Sequence, residues 1–216
     1  MATDNPEIMK QLDQYAADLS AQDDNVLRWI QAETERNELP TISVRAYDGR
    51  LLQFLMLAVG ARKVVEIGTL AGYSGVWMAR ALPADGKLYT LEKSSKHAKV
   101  ARASFDKAGL NGKVEILEGS ALDSMKRLHD KAPFDFVFID ANKDGYAAYL
   151  DWAVEHLRPG GIVAAHNAFR NGQVLTPQND EDHSMVAFNQ GVIDHPRLEG
   201  LILAVGDGMA VGIKKH

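Results

Sequence analysis

Asp140 and Lys143 stand three residues apart where an apolar run stops, in FDFVFIDANKDGY (134–146), and His166-Asn167 close a second run, GIVAAHN (161–167). A carboxylate, an amine and an imidazole at strand exits can hold a ligand or move a proton near neutral pH; residue types alone leave open which. A third stretch says more. VVEI (64–67) runs into GTLAGYSG (68–75) and then into a helical pattern, and Glu92 closes the next apolar run, 92 − 68 = 24 residues after Gly68. Gly68 allows a sharp turn beneath a ligand, and Gly72 and Gly75 allow close approach. The spacing is not G-x-G-x-x-G, so the loop suits a nucleoside with an amino-acid tail better than a dinucleotide. An NAD-dependent dehydrogenase therefore ranks low. An acid placed like Glu92 accepts both ribose hydroxyls at once. Small residues in EGSAL (118–122) leave room for a flat adenine ring beside Ser120 and Ala121.

These residues gather only if the chain folds to bring strand exits together. From residue 63 short apolar runs alternate with amphipathic stretches: KVVEI (63–67), KLYTLE (87–92), KVEILEG (113–119), DFVFID (135–140) and GIVAAHN (161–167) read as strands. Such alternation predicts βαβ units and a parallel sheet covered on both faces. Covering on both faces explains why VFI and IVAA are apolar throughout rather than alternating. Pro159-Gly160-Gly161 reads as the turn into the fifth strand. Open sheets of this kind bind ligands beyond the carboxyl ends of their strands, and every residue named so far lies on that edge.

The flanks differ. Before residue 60 the pattern is helical, with Pro40 ending a second helix and a third spanning about Tyr47 to Val59 before Gly60. At the other end DEDHSMVAFNQGVIDH (180–195) reads as a helix. LEGLILAVG (198–206) and MAVGIKK (209–215) read as strands joined by a tight turn at Asp207-Gly208. The expected organisation is one domain over 1–216, with a helical cap (1–60) and a nucleoside-binding α/β core (61–216).

Composition narrows the partners. The 216 residues are 46% hydrophobic, contain no cysteine, and carry a formal net charge of −5 with pI near 5.8. Disulfides, thiolate metal sites and a cysteine nucleophile are excluded. No basic run offers a footprint for a phosphate backbone, so nucleic acid is disfavoured as partner. The N-terminal MATDNPEIMK has no apolar signal region and no stretch is long enough to span a bilayer. The cytoplasm is the expected location.

Three segments together, VVEIGTLAGYSGVWMARAL, FIDANKDGYAAYLDWAVEHLRPGGIVAAHN and LAVGDGMAVGIKK, resemble the S-adenosylmethionine-dependent O-methyltransferases of the catechol and caffeoyl-CoA type, particularly their bacterial small-molecule branch. The likeness runs from about Leu39 to the end. It implies the class I methyltransferase (Rossmann-like) three-layer α/β sandwich, with a seven-stranded, mostly parallel sheet and a C-terminal antiparallel hairpin. It places Glu66, Gly68, Gly72, Tyr73 and Ser74 around the methionine part of the cofactor, with Ile42 and Val44 covering it. Glu92 would hold the ribose, and Ser120 and Ala121 the adenine. Asp140 matches a residue that binds a divalent metal and lies near the cofactor. Lys143 matches the lysine assigned as general base, and Asn167 a metal ligand. A homodimer is also implied.

The chain departs from that pattern at the fifth strand's tip, where relatives read Asp-Asn and this sequence reads His166-Asn167. His166 has three readings: a nitrogen ligand favouring Mn²⁺, Fe²⁺ or Zn²⁺ over Mg²⁺, a general base in place of the metal, or a packed histidine. The expected reaction is methyl transfer from S-adenosylmethionine to a hydroxyl of a small phenol or catechol, giving a methyl ether. A phenol has pKa near ~10, so its ionisation at pH 7 costs about 4 kcal/mol that the site must offset. Alternatives are methylation of a hydroxylated tRNA base and a catalytically weak protein that only binds the cofactor. Arg45, Phe169 and Arg170 are candidates for the acceptor pocket, where an arginine would favour acids such as hydroxycinnamates or their coenzyme A esters. His97, His129, His156, His183 and His195 carry no assigned role.

Overall fold

A computed structural model describes residues 5–216. Among these residues seven strands form one sheet: β1 (Lys63–Ile67), β2 (Lys87–Glu92), β3 (Val114–Glu118), β4 (Phe134–Ile139), β5 (Leu157–His166), β6 (Leu198–Leu203) and β7 (Met209–Lys214). Their order is β3-β2-β1-β4-β5-β7-β6. β1 to β5 run parallel, and β7 lies antiparallel between β5 and β6. The order reverses between β1 and β4, and the crevice at that switch point is where an open sheet of this type receives its ligand.

Among the described residues eight α-helices complete the layers: α1 (Pro6–Ser20), α2 (Asn25–Arg36), α3 (Ala46–Ala58), α4 (Tyr73–Ala81), α5 (Ser95–Lys107), α6 (Ala121–Arg127), α7 (Tyr146–His156) and α8 (Asp180–Asp194). Alternate strand residues feed two separate cores. Val64, Phe136 and Phe138 pack with Leu27 and Ile30 of α2, Leu52 and Met56 of α3, and Phe105 of α5. Val65, Val137 and Ile139 pack on the other face with Met125 of α6, Leu150 of α7 and Phe188 of α8. Phe136 and Phe138 are fully buried, a contribution of about 1.5–3 kcal/mol each. Both faces of β4 are thus anchored up to the residue before Asp140.

Three boundaries differ from the sequence reading. α2 ends at Arg36, before Pro40, because Glu38 turns the chain out at φ 53° and Leu39 N–H bonds back to Thr34 O at 2.9 Å. β5 begins at Leu157, which pairs with Phe134 before Ile162 pairs with Phe136. Pro159-Gly160-Gly161 is therefore an irregularity inside the strand rather than a turn ahead of it. The β6–β7 connection covers 204–208, not two residues. Gly206 and Gly208 both have positive φ, and Gly208 N–H closes on Val205 O at 2.9 Å. The longer loop carries Asp207 out over the end of β5. Among the described residues no helix is long and apolar enough to cross a membrane.

Candidate active site

The carboxyl ends of β1, β2 and β4 are tied together by backbone. Gly68 N–H donates to Leu91 O (3.0 Å), and Asp140 N–H to Ile67 O (2.9 Å). Gly68 has φ 102°, and a Cβ there would lie 2.1 Å from the Asp140 carbonyl oxygen. Only glycine fits that crossing. Glu92, 7% exposed, then organises the loop. Its Oε2 accepts from Thr69 N (3.3 Å) and Leu70 N (2.9 Å), and its Oε1 from Ser94 N (2.9 Å). The carboxylate is pinned in place while facing a cavity of about 670 Å³, a size suited to a nucleoside-sized ligand. Ile42, Val44, Gly68, Tyr73, Ser74, Glu92 and Ala121 line it, as do Asp140, Lys143, His166 and Asn167 at its other end. The structure therefore gathers most of the expected residues around one space.

Three of the expected residues do not line that space. Glu66 is fully buried, with Ser74 Oγ donating to Oε1 and Thr90 Oγ1 to Oε2. Burial pushes its carboxyl up to about 8, against the pull of those two hydroxyls, so the neutral acid is its main form at pH 7. It supports the loop through Ser74. Gly72, at φ 86° before α4, faces Phe105 and Ala101 rather than the cavity. Ser120 is the N-cap of α6, accepting from Asp123 N at 3.2 Å, and its hydroxyl donates to Asp123 Oδ2 at 2.8 Å. Gly119 and Ala121 border the space instead.

At the β4–β5 end, Asp140 is deep within the protein but keeps 23% side-chain exposure through the cavity. Burial raises its carboxyl, opposed by His166 and Lys143. Lys143 is 7% exposed; its Nζ donates to Tyr146 OH at 2.6 Å and lies 4.4 Å from that ring's centre. Burial lowers the ammonium below the ordinary lysine range, with Asp140 opposing. His166 is 8% exposed. Its Nδ1 is 3.9 Å from Asp140 Oδ2 and its Nε2 is 3.4 Å from Asp48 Oδ2. Burial pulls the imidazole down, but the two carboxylates outweigh it and the net direction is upward.

A second cavity, about 800 Å³, adjoins the first; Ser43, His166, Asn167, Asn171 and Asp207 border both. Asp48, Phe169, Val174 and Leu175 line only the second. This is the acceptor-sized space on the far side of His166.

The donors expected for a divalent cation do not converge. Both His166 nitrogens face carboxylates on opposite sides, and Asn167 Nδ2 is drawn to Asp207 Oδ2 at 3.0 Å. Among the described residues no group of three or more His, Asp or Glu side chains is arranged to hold a metal. As placed, Asp140, His166 and Asn167 do not fit a cation site.

Sequence reasoning passed over three residues here. His97 borders the nucleoside end, with Nδ1 3.4 Å from Glu92 Oε1; its position in the first turn after the Glu92 strand was the available signal. Asp48 gave none, because packing alone carries α3 to the tip of β5. Asp207 was read only as a turn residue, yet it accepts from Asn167 and from Asn171 N (2.6 Å), while Phe169 N–H bonds its carbonyl at 2.8 Å. Of the residues expected at the acceptor pocket, Arg45 and Phe169 line the second cavity and Arg170 the first. Arg45 is committed to Asp48, and Arg170 to Asp182 and Glu181, each at 3.0–3.1 Å. Both cations are thus already paired where they border the cavities. His129 and His156 pair with each other at 3.0 Å away from the cavities.

A seven-stranded sheet with an antiparallel β5-β7-β6 end and a nucleoside-sized crevice at the switch point defines the class I methyltransferase fold. A sequence model of the family described as O-methyltransferase matches residues 17–215, and the chain belongs to that family. A protein named catechol O-methyltransferase from Niastella koreensis is 38% identical, with 98% of this chain and 100% of that protein covered. One of the same name from Mycobacterium tuberculosis is 39% identical over 88% of this chain and 89% of its own. The crystal structure of the O-methyltransferase from Bacillus cereus in complex with SAH superposes with a TM-score of 0.87 at 36% identity, covering 94% of this chain and 97% of that one.

Proposed function

We propose that the chain transfers the methyl group of S-adenosylmethionine to a hydroxyl of a small phenolic or catecholic acceptor. One observation carries this reading: a nucleoside-sized cavity begins at Glu92 and ends at a wall of His166, Asn167 and Asp207, with an acceptor-sized cavity directly behind. The names of the relatives support the same acceptor class. Glu92 takes the ribose hydroxyls, Gly119 and Ala121 flank the adenine, and Gly68, Tyr73 and Ser74 hold the methionine part. Ile42 and Val44 cover it. Asp140 lines the same cavity, and its carboxylate would attract the sulfonium and so help to bind the donor rather than the neutral product. The acceptor oxygen enters from the second cavity, in line with the methyl carbon; such positioning contributes roughly 7–11 kcal/mol. Two groups at that junction can take its proton, Lys143 and His166. The donors at this end do not fit a divalent cation as placed, and the proton is handled by these side chains.

The helices before β1 belong to the same domain on this reading, since Leu27, Leu52 and Met56 share a buried cluster with Val64 and Phe136. A homodimer is part of the proposal. Leu12, Tyr15 and Leu19 leave α1 with 50%, 63% and 70% exposure, an apolar face suited to a second copy; sedimentation at micromolar concentration checks it. The function itself is tested by incubating purified protein with S-adenosylmethionine and a panel of catechols and simple phenols, with products read by mass spectrometry. Monomethyl ethers are expected. Tight cofactor binding with no methylated phenol, or methylation of bulk tRNA instead, would contradict the acceptor class.

A further inference from the structure

We propose that Asp48 is a positioning residue for His166, and that the Asp48–His166 pair is the unit that receives the proton of the acceptor hydroxyl. This rests on the reading of the site given above and assigns the role of proton acceptor within it. The fifth strand ends in an imidazole, His166, and a carboxylate from α3, Asp48, stands directly behind it.

The geometry gives each ring nitrogen a different task. Nε2 is buried, and among the described residues no hydrogen bond satisfies it. The nearest acceptor is Asp48 Oδ2 at 3.4 Å, within ion-pair reach and slightly long for a hydrogen bond. A buried N–H left this way costs free energy unless it closes on that oxygen, so the proton of the neutral ring belongs on Nε2, toward Asp48. Nδ1 then keeps its lone pair on the side of Asp140, 3.9 Å away; Asp140 lines the first cavity, Asp48 the second, and His166 borders both.

Asp48 is built to stay where it is. It is 1% exposed and lies in the first turn of α3. Its Oδ2 accepts from Arg45 N (3.2 Å) and Arg45 Nε (3.1 Å), and its Oδ1 from Arg45 Nη2 (3.1 Å). Arg45 is itself held against the β6–β7 loop: a Cβ on Gly206 would lie 2.0 Å from its Nη2. The charged groups acting on His166 are Asp48 from α3, Asp140 from the β4 tip and Lys143 just after it, and Asp13 of α1, Arg45, Arg170, Glu181 of α8 and Asp207 of the hairpin loop line the cavities beside it. Lys143 is the weaker candidate for the proton, because its Nζ is turned into Tyr146.

The step balances as follows. The acceptor O–H bonds to Nδ1, and its proton moves there as the oxygen attacks. The oxygen's electron pair forms the O–CH₃ bond while the C–S bond breaks, leaving its pair on the neutral thioether sulfur. The imidazolium so formed sits between Asp48 and Asp140 until the ether leaves and the proton passes to water. Net, sulfonium plus phenol gives thioether, ether and one proton.

The test has two arms on the full chain saturated with S-adenosylhomocysteine or S-adenosylmethionine. In the first, ¹⁵N NMR of the His166 ring should show a protonated Nε2 and an unprotonated Nδ1 in the neutral form, and Asp48→Asn should weaken that preference. A ring protonated on Nδ1, or one unmoved by the substitution, overturns the proposal whether or not any phenol is turned over. If no phenol is turned over, the acceptor class proposed above falls separately. In the second, catechol kinetics in EDTA are compared for Asp48→Asn, His166→Asn and the double variant. His166→Asn should lower kcat by roughly 10²-fold or more and Asp48→Asn by roughly 10-fold, with KM for catechol changed far less. Asp48→Asn should cost nothing further once His166 is gone. Additive losses, unchanged S-adenosylmethionine affinity notwithstanding, would make Asp48 merely structural, and activity abolished by EDTA in the unsubstituted protein would remove the pair from the chemistry.

Discussion

The two ends of the crevice are built differently. Around β1 and β2 the work is done by backbone: Gly68 crossing Asp140, and amides of Thr69, Leu70 and Ser94 converging on one carboxylate. Around β4 and β5 side chains meet from distant parts of the chain: Asp48 from α3, Lys143 from the segment after β4, His166 from β5 and Asp207 from the hairpin loop. The first end is a rigid receptacle set by local sequence. The second is a charge cluster whose properties depend on packing.

Substitutions can break or sharpen that contrast. The largest effect is expected at Gly68→Ala, because the new Cβ would meet backbone that cannot move aside, at a φ that alanine resists. About 3 kcal/mol or more of stability should be lost, with S-adenosylmethionine binding lost as well. Denaturant unfolding and calorimetry measure both, and a well-folded variant of normal affinity would contradict the backbone account. Glu92→Ala comes next. It removes a charged acceptor worth roughly 1.5–3 kcal/mol, so affinity for S-adenosylmethionine should fall roughly 10- to 100-fold by calorimetry. An unchanged Kd would place the ribose elsewhere.

Glu66 gives a pH signature. Its folded carboxyl titrates at about 8, above the ordinary value of 4.5. The folded state therefore holds the proton that the unfolded chain releases. This contribution is fully present below pH 4.5 and is lost as pH rises through about 8. Stability of the unsubstituted protein relative to Glu66→Gln should drop by about 2–3 kcal/mol between pH 5 and pH 7, as read from urea midpoints at each pH. A constant difference would mean that Glu66 is ionised throughout. The smallest effect is expected for Ser120→Ala, about 1 kcal/mol from the lost cap of α6, with S-adenosylmethionine affinity unchanged. A tenfold loss of affinity would instead make Ser120 a direct adenine contact.

The same contrast explains what the sequence made legible. Strand order, the crevice, Glu92 and the Gly68 turn follow from local pattern: apolar runs, a glycine at the turn, an acid at the next strand end. Asp140, Lys143, His166 and Asn167 were visible as strand tips, and the structure brings them to one cavity. Asp48 was not visible, because a lone acid in a helix carries no sign of the strand that packing will set beside it. Nor could sequence show that Glu66 lies beneath the loop, since a strand residue one position from a turn can face either side. The partners of the two arginines were hidden for a similar reason: Arg45 and Arg170 border the cavities as expected, but they find their carboxylates only in the folded chain.

The most direct test of the proposed geometry is a crystal structure with S-adenosylhomocysteine and catechol bound together. The ribose should lie on Glu92, the sulfur should face the gap between Asp140 and His166, and a catechol oxygen should approach from the second cavity within hydrogen-bond reach of His166 Nδ1. A nucleoside bound away from Glu92, or a catechol oxygen on the far side of Lys143 with His166 untouched, would contradict it.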